Sequence, residues 1–446
     1  MPRPPEALIA PARRAAYVVL RRTFEHGAYT DLALRAEAGA LDARDRALAM
    51  ALASGAVQRK ATLDHFIEQL SERPAERLDA PLLAALRLGL YELLYMAGAP
   101  DYAVVHDAVE LAKAHARAGH GLVNAVLRRA AREGPRSLLG ALGDATFEQA
   151  AIKHSHPEWL ARLWFEQLGA GEARALMARD NEPAELALRA NALVTDADAL
   201  ARALPVASHR DHDIPEALVL DGPFDAQGSP AWGEGAFVAQ SRAAMLVARA
   251  VAPLAGERVL DLCAAPGGKA THLAALMRGD GEVLAVERDQ ARARRLQQTV
   301  VRLRAHSVRV EVADAREAPR EPTTFDRVLV DPPCSGLGTL QARPDLRWRT
   351  SAEAIDEMAR AQSQILAAGA KALRPGGVLV YSTCTISATE NEQVIAAFLD
   401  SHADFSLDDL AAQLPFAAPS GIPGAVLTLP HRHDTAGFFI ARLRRS

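Results

Sequence analysis

Along residues 11–140, apolar side chains return at every third or fourth position. The run 81–97 shows this most clearly: Pro81 opens it, and Leu82, Leu83, Leu86, Leu90, Leu93 and Leu94 fall on one face. That period predicts a helix buried along one side, with proline placed where a first-turn N–H needs no partner. The stretches 13–24, 43–57, 103–117 and 121–132 keep the same rhythm. Turn residues divide them at His26-Gly27, Gly98-Ala99-Pro100, Gly119 and Gly134-Pro135. A helical bundle over residues 1–140 is the expected result. Residues 141–235 are more mixed. A helical pattern covers 156–169, whereas 186–193 and the Pro- and Gly-rich stretch 214–235 point to a small α+β connecting module. From residue 236 short apolar runs at 259–262, 283–287, 308–312, 327–330 and 378–382 alternate with amphipathic stretches at 269–278, 289–304, 351–373 and 390–400. Such alternation predicts a doubly wound, mostly parallel sheet over 236–446, with a last strand at 437–443.

Composition narrows this picture without redirecting it. A chain of 446 residues suits two or three domains, and 49% hydrophobic with 24% charged residues suits a folded protein. The net charge of -4 carries no signal for a nucleic-acid partner. A mild basic excess in 1–140 is explained equally well by solvated helix surfaces. Only five lysines occur, so nearly all positive charge is arginine, whose planar fork binds phosphate bidentately. Three cysteines, Cys263, Cys334 and Cys384, argue against a disulfide framework and for a reducing compartment. The N-terminal stretch lacks the apolar core of a signal peptide, and no long uncharged apolar run occurs elsewhere. A cytoplasmic protein with no membrane partner is expected.

The candidate chemistry lies at the ends of the strands. The first runs into Asp261-Leu262-Cys263-Ala264-Ala265-Pro266-Gly267-Gly268-Lys269. A glycine-containing turn there, followed by a helix, is where a doubly wound sheet binds its ligand. It is not a Walker A loop, and it does not match G-x-G-x-x-G either, which disfavours a dinucleotide. The second strand ends on Glu287, placed to accept from ribose hydroxyls, and the third leads to Asp314, placed to accept from an adenine amino group. Each acid alone would be an ordinary helix cap; three successive strand ends carrying Asp261, Glu287 and Asp314 favour a nucleoside. The fourth strand leads into Asp331-Pro332-Pro333-Cys334-Ser335-Gly336 and the fifth into Ser382-Thr383-Cys384-Thr385. If both strands lie beside the first, two thiols face one crevice. Buried cysteines are usually inert, but two of three at adjacent strand ends suggest reaction. Carbon 5 of a pyrimidine is too weak a nucleophile to take a methyl group unaided. A thiolate adding to carbon 6 makes it an enamine, and cysteine suits that role. Asp331, held between a strand and two prolines, is placed to hydrogen-bond cytosine N3 or its amino group.

These motifs identify a resemblance. CAAPGGK at 263–269, DPPCSG at 331–336 and STCT at 382–385 resemble the RNA 5-methylcytosine methyltransferases of the NOL1/NOP2/Sun class, over about 236–446. RPDLRW at 343–348 and the GFF ending at 437–439 fit as well. The resemblance implies S-adenosylmethionine as cofactor, Cys384 as nucleophile and Cys334 as the residue assisting release of the methylated RNA. It also implies that Cys263, Ala264, Ala265, Pro266, Gly267, Gly268, Lys269, Glu287, Arg292, Asp314 and Asp331 contact the cofactor or target base. Residues 1–140 are similar to the antitermination factor NusB through 41–67, 100–113 and 121–129. Together the parts resemble the bacterial 16S ribosomal RNA cytosine-5 methyltransferases of the Sun group. The implied architecture is multidomain: an all-α NusB-like bundle that engages RNA, an α+β connector and a Rossmann-like α/β methyltransferase domain. The implied partner is RNA, 16S ribosomal RNA above others, with no DNA and a monomeric chain. Three departures stand out. Glu287 replaces the usual Asp, Gln240-Ser241 the usual Gln-Asp, and DPPCSG the DAPCS form of that group.

Other readings remain open on sequence grounds: methylation of another RNA such as tRNA, methylation of an exocyclic amine, or an assembly factor with a vestigial site. His431-Arg432-His433 lacks cysteines at ligand spacing, so no metal is expected, and His154 with His156 is no stronger. Arg347 and Trp348 either line an RNA path or pack locally.

Overall fold

The computed structural model describes residues 9–317, 325–414 and 416–446; residues 1–8, which carry part of the N-terminal reading, lie outside them. The chain divides into two compact units. The first comprises Met1–Glu182 with the excursion Leu340–Arg349, the second Pro183–Thr339 with Thr350–Ser446.

The first unit is helical. Helix Ala80–Tyr95 carries apolar residues nearly all round and packs against helices Pro11–His26, Ala43–Gln58, Lys60–Ser71, Asp101–His115 and His120–Glu133. Leu20, Leu52, Leu63, Phe66, Leu86, Leu90, Val123 and Leu127 form the core. A Cβ on Gly55 would fall 1.9 Å from the Tyr91 ring, so glycine alone permits that approach. Two charges on the central helix are buried and paired. Arg87 grips Asp64 through two bonds of 2.7 and 2.8 Å, and Glu92 meets Arg13. The excursion Leu340–Arg349 completes this unit from far along the sequence. Its short 3-10 turn Pro344–Trp348 buries Arg347, which donates to Ser155 O, Asn181 Oδ1 and Asp180 O, while Trp348 Nε1 donates to Val57 O at 2.7 Å. Packing is therefore the role of both residues. His156 is buried beside them, bonded to Asp180 and to the His154 carbonyl.

The second unit begins with a four-stranded antiparallel sheet, β1 (Ala187–Ala190), β2 (Ser208–Arg210), β3 (Ala217–Leu220) and β4 (Phe237–Ala239), ordered β2-β3-β1-β4. This is the mixed connecting module. The large sheet follows: β5 (Arg258–Leu262), β6 (Glu282–Glu287), β7 (Val308–Val312), β8 (Phe325–Val330), β9 (Leu373–Thr383), β10 (Phe405–Leu407), β11 (Ala418–Pro419), β12 (Val426–Leu427) and β13 (Phe439–Arg445). Its order is β11-β12-β13-β9-β8-β5-β6-β7, with β10 pairing β13. Strands β5 to β9 run parallel and β13 antiparallel to β9. The inner strands are buried on both faces, which is why they read as continuous apolar runs. Because β8 lies between β5 and β9, the turns after these three strands share one edge of the sheet.

Candidate active site

The turn after β5 is anchored from beside and below. Cys263 and Ala264 both donate their N–H to Val286 O on β6, at 3.0 and 2.8 Å, and Gly267 N–H closes the turn on Ala264 O at 2.8 Å. Gly267 has a φ of +106°, and a Cβ there would lie 2.7 Å from Leu296. Only glycine fits. At Gly268 a Cβ would meet nothing closer than Gln240 at 3.8 Å. Packing does not require that second glycine, whereas a ligand lying against the backbone would. Helix Gly268–Leu276 starts there, and its first N–H groups have no carbonyl one turn back.

Acids converge behind this turn. Asp261 is fully buried, and neither carboxylate oxygen has a hydrogen-bond partner among the described residues. Burial, reinforced by the nearby Asp331, pushes its pKa up to about 8. Asp331 is held on both sides: Lys269 Nζ donates to Oδ2 at 2.7 Å and Ser382 Oγ to Oδ1 at 2.9 Å. Burial opposes the Lys269 charge, but Asp331, with help from Cys384 and Asp261, outweighs it and raises the ammonium pKa. The same ammonium lies 5.1 Å over the ring of Phe438, from the GFF ending. Glu287 accepts from Asp289 N–H at 2.9 Å and faces Arg292 at 3.4 Å, while Arg292 donates to Ala265 O at 3.1 Å. Arg292 thus joins the second-strand acid to the glycine turn. Asp314 is already engaged: Arg316 grips both its oxygens, at 3.0 and 2.6 Å, and this hydrogen bonding lowers its pKa to about 2.

Unpartnered buried carboxylate and open glycine backbone fit S-adenosylmethionine, which offers an ammonium, a sulfonium and a ribose. Asp261 would hold positive charge, Glu287 the ribose hydroxyls, and Gly268 would let the ligand lie on the backbone.

The thiols of Cys334 and Cys384 lie 3.3 Å apart. Ser382, Thr383 and Thr385 are fully buried, whereas Cys384 is half-buried, so the strand end presents its sulfur and hides its neighbours. The hydrogen bond to Cys384, then burial, then the charges of Cys384, Glu390 and Asp331 hold the Cys334 pKa well above the ordinary thiol range. Cys334 therefore keeps its proton, and the two sulfurs share a hydrogen bond. The backbone is locked here too. Gly338 N–H donates to Cys384 O at 2.9 Å, and Gly437 N–H donates to Gly338 O at 2.7 Å. A Cβ on Gly338 would lie 2.0 Å from Gly437 O, so this crossing is built from glycines. Cys263, the third thiol, stands apart in role: burial drives its pKa up to about 12, which keeps it neutral.

The structure thus brings Lys269, Asp331, Cys334 and Cys384 together, with the glycine turn, Glu287 and Arg292 beside them. Sequence reasoning passed over Ser382 as a ligand of Asp331, Arg316 as the partner of Asp314, and Glu390, Asn391 and Gln362, which are buried under the two cysteine turns. The signal for Glu390 and Asn391 was two polar residues shortly after STCT, read as the start of a helix. Ser241 explains one departure. It is the N-cap of helix Arg242–Val251 and accepts from Ala244 N–H, a task that Asp performs as well.

Comparison with known proteins places these features among relatives. A family profile described as 16S rRNA methyltransferase RsmB/F matches residues 248–444, the NusB family matches 10–132, and a ferredoxin-like domain of RsmF/B-like methyltransferases matches 156–227. The chain is 36% identical to the probable ribosomal RNA small subunit methyltransferase B of Synechocystis sp., covering 98% of this chain and 99% of that one. It is 34% identical to the Bacillus subtilis protein of the same description, over 97% and 98%. The crystal structure of PH0851 superposes with a TM-score of 0.82 at 28% identity, over 98% of this chain and 99% of that one. NSun6 from Pyrococcus horikoshii, solved with SFG, superposes with a TM-score of 0.60 at 25% identity, over 65% and 98%.

Proposed function

Because the chain belongs to the 16S rRNA methyltransferase RsmB/F family, we propose that it methylates carbon 5 of a cytidine in small-subunit ribosomal RNA, with Cys384 as nucleophile. The observation that carries this reading is the pair of sulfurs 3.3 Å apart beside an Asp–Lys pair at one sheet edge. Amine methylation needs no thiol, and a vestigial site has no reason to keep this geometry.

Bound S-adenosylmethionine, whose analogue SFG accompanies the NSun6 relative, supplies an electrophilic methyl group. The residues of this chain do the rest. Cys384, the cysteine of the STCT motif, attacks carbon 6 as the thiolate, with the protonated Cys334 thiol beside it. Asp331, fixed by Lys269 and Ser382, hydrogen-bonds the N3 or amino edge of the base and stabilises charge as it develops. Lys269 lies near enough to Cys384 for the two charges to reinforce one another. Once carbon 5 is methylated its proton passes to water, the carbon 5–carbon 6 double bond reforms, and the carbon–sulfur bond breaks to return Cys384 as thiolate. Cys334 hydrogen-bonds that departing sulfur.

We assign residues 1–140 to RNA engagement, 141–235 to the connector and 236–446 to catalysis. The profile matches at 10–132, 156–227 and 248–444 support this division. Among the described residues no helix is long and apolar enough to cross a membrane. Three free thiols and a ribosomal substrate fit the reducing cytoplasm. Bisulfite sequencing of small-subunit ribosomal RNA from a deletion strain tests the reading. One methylated cytidine should disappear and return with the wild-type gene; an unchanged profile contradicts it.

A further inference from the structure

Glu390 and Asn391 are both buried in the turn before helix Glu392–Ser401. Asn391 brackets Cys384: it accepts from Thr383 Oγ1 at 2.5 Å and donates to Thr385 O at 3.0 Å. Glu390 reaches across to the other cysteine turn. It accepts from Ser335 N–H at 2.8 Å, from Ser335 Oγ at 2.5 Å and from Gln362 Nε2 at 3.0 Å. Gln362 also donates to Pro333 O at 2.9 Å, so the residues on both sides of Cys334 are tied to one carboxylate–amide pair. Thr385 Oγ1 lies 2.7 Å from Ser335 Oγ and joins the two brackets. Burying a carboxylate is costly unless donors surround it. Here three donors do so, and two of them belong to the residue that follows Cys334.

We propose that Glu390 is a positioning residue for the release half of the reaction, holding the Cys334 turn so that its thiol meets the departing Cys384 sulfur. This rests on the cysteine mechanism above. Loss of Glu390 lets the Cys334 turn relax while Asn391 still holds Cys384, so bond formation to carbon 6 continues and its reversal is slowed. A purely structural role would lower cofactor binding, attack and release together.

The test uses full-length Glu390→Ala and Glu390→Gln proteins, with Cys334→Ala alongside, incubated with a 16S ribosomal RNA transcript and S-adenosylmethionine and run on a denaturing gel. Glu390→Ala should bind S-adenosylmethionine within about twofold of wild type and accumulate several-fold more covalent protein–RNA adduct. Glu390→Gln keeps one acceptor oxygen and should fall between. Adduct in Cys334→Ala with wild-type levels in both Glu390 variants overturns the inference and leaves the cysteine mechanism standing. No adduct in Cys334→Ala overturns that mechanism and the inference with it. Should Glu390→Ala fail to fold, Glu390→Gln decides between the same outcomes.

Discussion

Each unit buries a cluster of charges, and the two clusters are balanced differently. In the helical unit, Arg347 satisfies peptide carbonyls of Ser155 and Asp180, and its charge offsets the buried Asp180 beside His156. Burial pushes Asp180 up to about 7 and Arg347 down to about 10, yet opposite signs stand together. In the second unit, Asp261, Glu287 and Asp331 gather around Lys269 and Arg292, and among the described residues Asp261 has no donor to either oxygen. Buried charge by itself therefore does not mark a functional site. The telling feature is a buried carboxyl with neither oxygen hydrogen-bonded among the described residues, next to open backbone, which a cationic ligand would complete.

The contrast is testable from its strongest consequence downward. Cys384→Ala should lose turnover by roughly 10³-fold or more, because it removes the thiol assigned to attack carbon 6; a discontinuous methyl-transfer assay on 16S ribosomal RNA reads this. Arg347→Met should leave catalysis chemistry intact but strand Asp180, destabilising the helical unit by about 3–5 kcal/mol. Calorimetric unfolding checks this, and a change within experimental error would mean the cluster is not charge-balanced as described. Asp261→Asn should do the reverse, weakening S-adenosylmethionine binding by about 10–100-fold without loss of ligand-free stability. Its pH dependence has a definite sign. The folded pKa near 8 lies above the unfolded value of about 3.9. The stability this group contributes is therefore fully present below about pH 4 and lost as pH rises through about 8. Asn should abolish that slope in denaturant titrations, and wild-type affinity for the cofactor should rise over the same window. The smallest effect belongs to Ser241: alanine should cost about 1 kcal/mol through the lost cap, and aspartate nearly nothing.

Much of the catalytic unit was legible because its information is local. Strand β7 spans the expected 308–312, and β5, β6 and β8 begin only one or two residues early. The acids and cysteines sit at their ends because that is where a parallel sheet exposes side chains to ligand. Less was legible where pairing spans long stretches of sequence. Nothing in 340–349 announces that Arg347 completes a helical unit built from residues about two hundred positions earlier, since its partners are mostly main-chain carbonyls with no residue signature. Strands β2, β3 and β10 to β12, of two to four residues, are too short for alternation to register. Gln362 lies inside a long amphipathic helix, and its polar contact follows from which face meets the cysteine turns.

The most direct measurement is peptide mapping of the adduct trapped by Cys334→Ala on 16S ribosomal RNA in the presence of S-adenosylmethionine. Mass spectrometry should find the nucleotide on the peptide containing Cys384. A nucleotide attached elsewhere, or a Cys384→Ala enzyme that still forms 5-methylcytosine, would contradict the account.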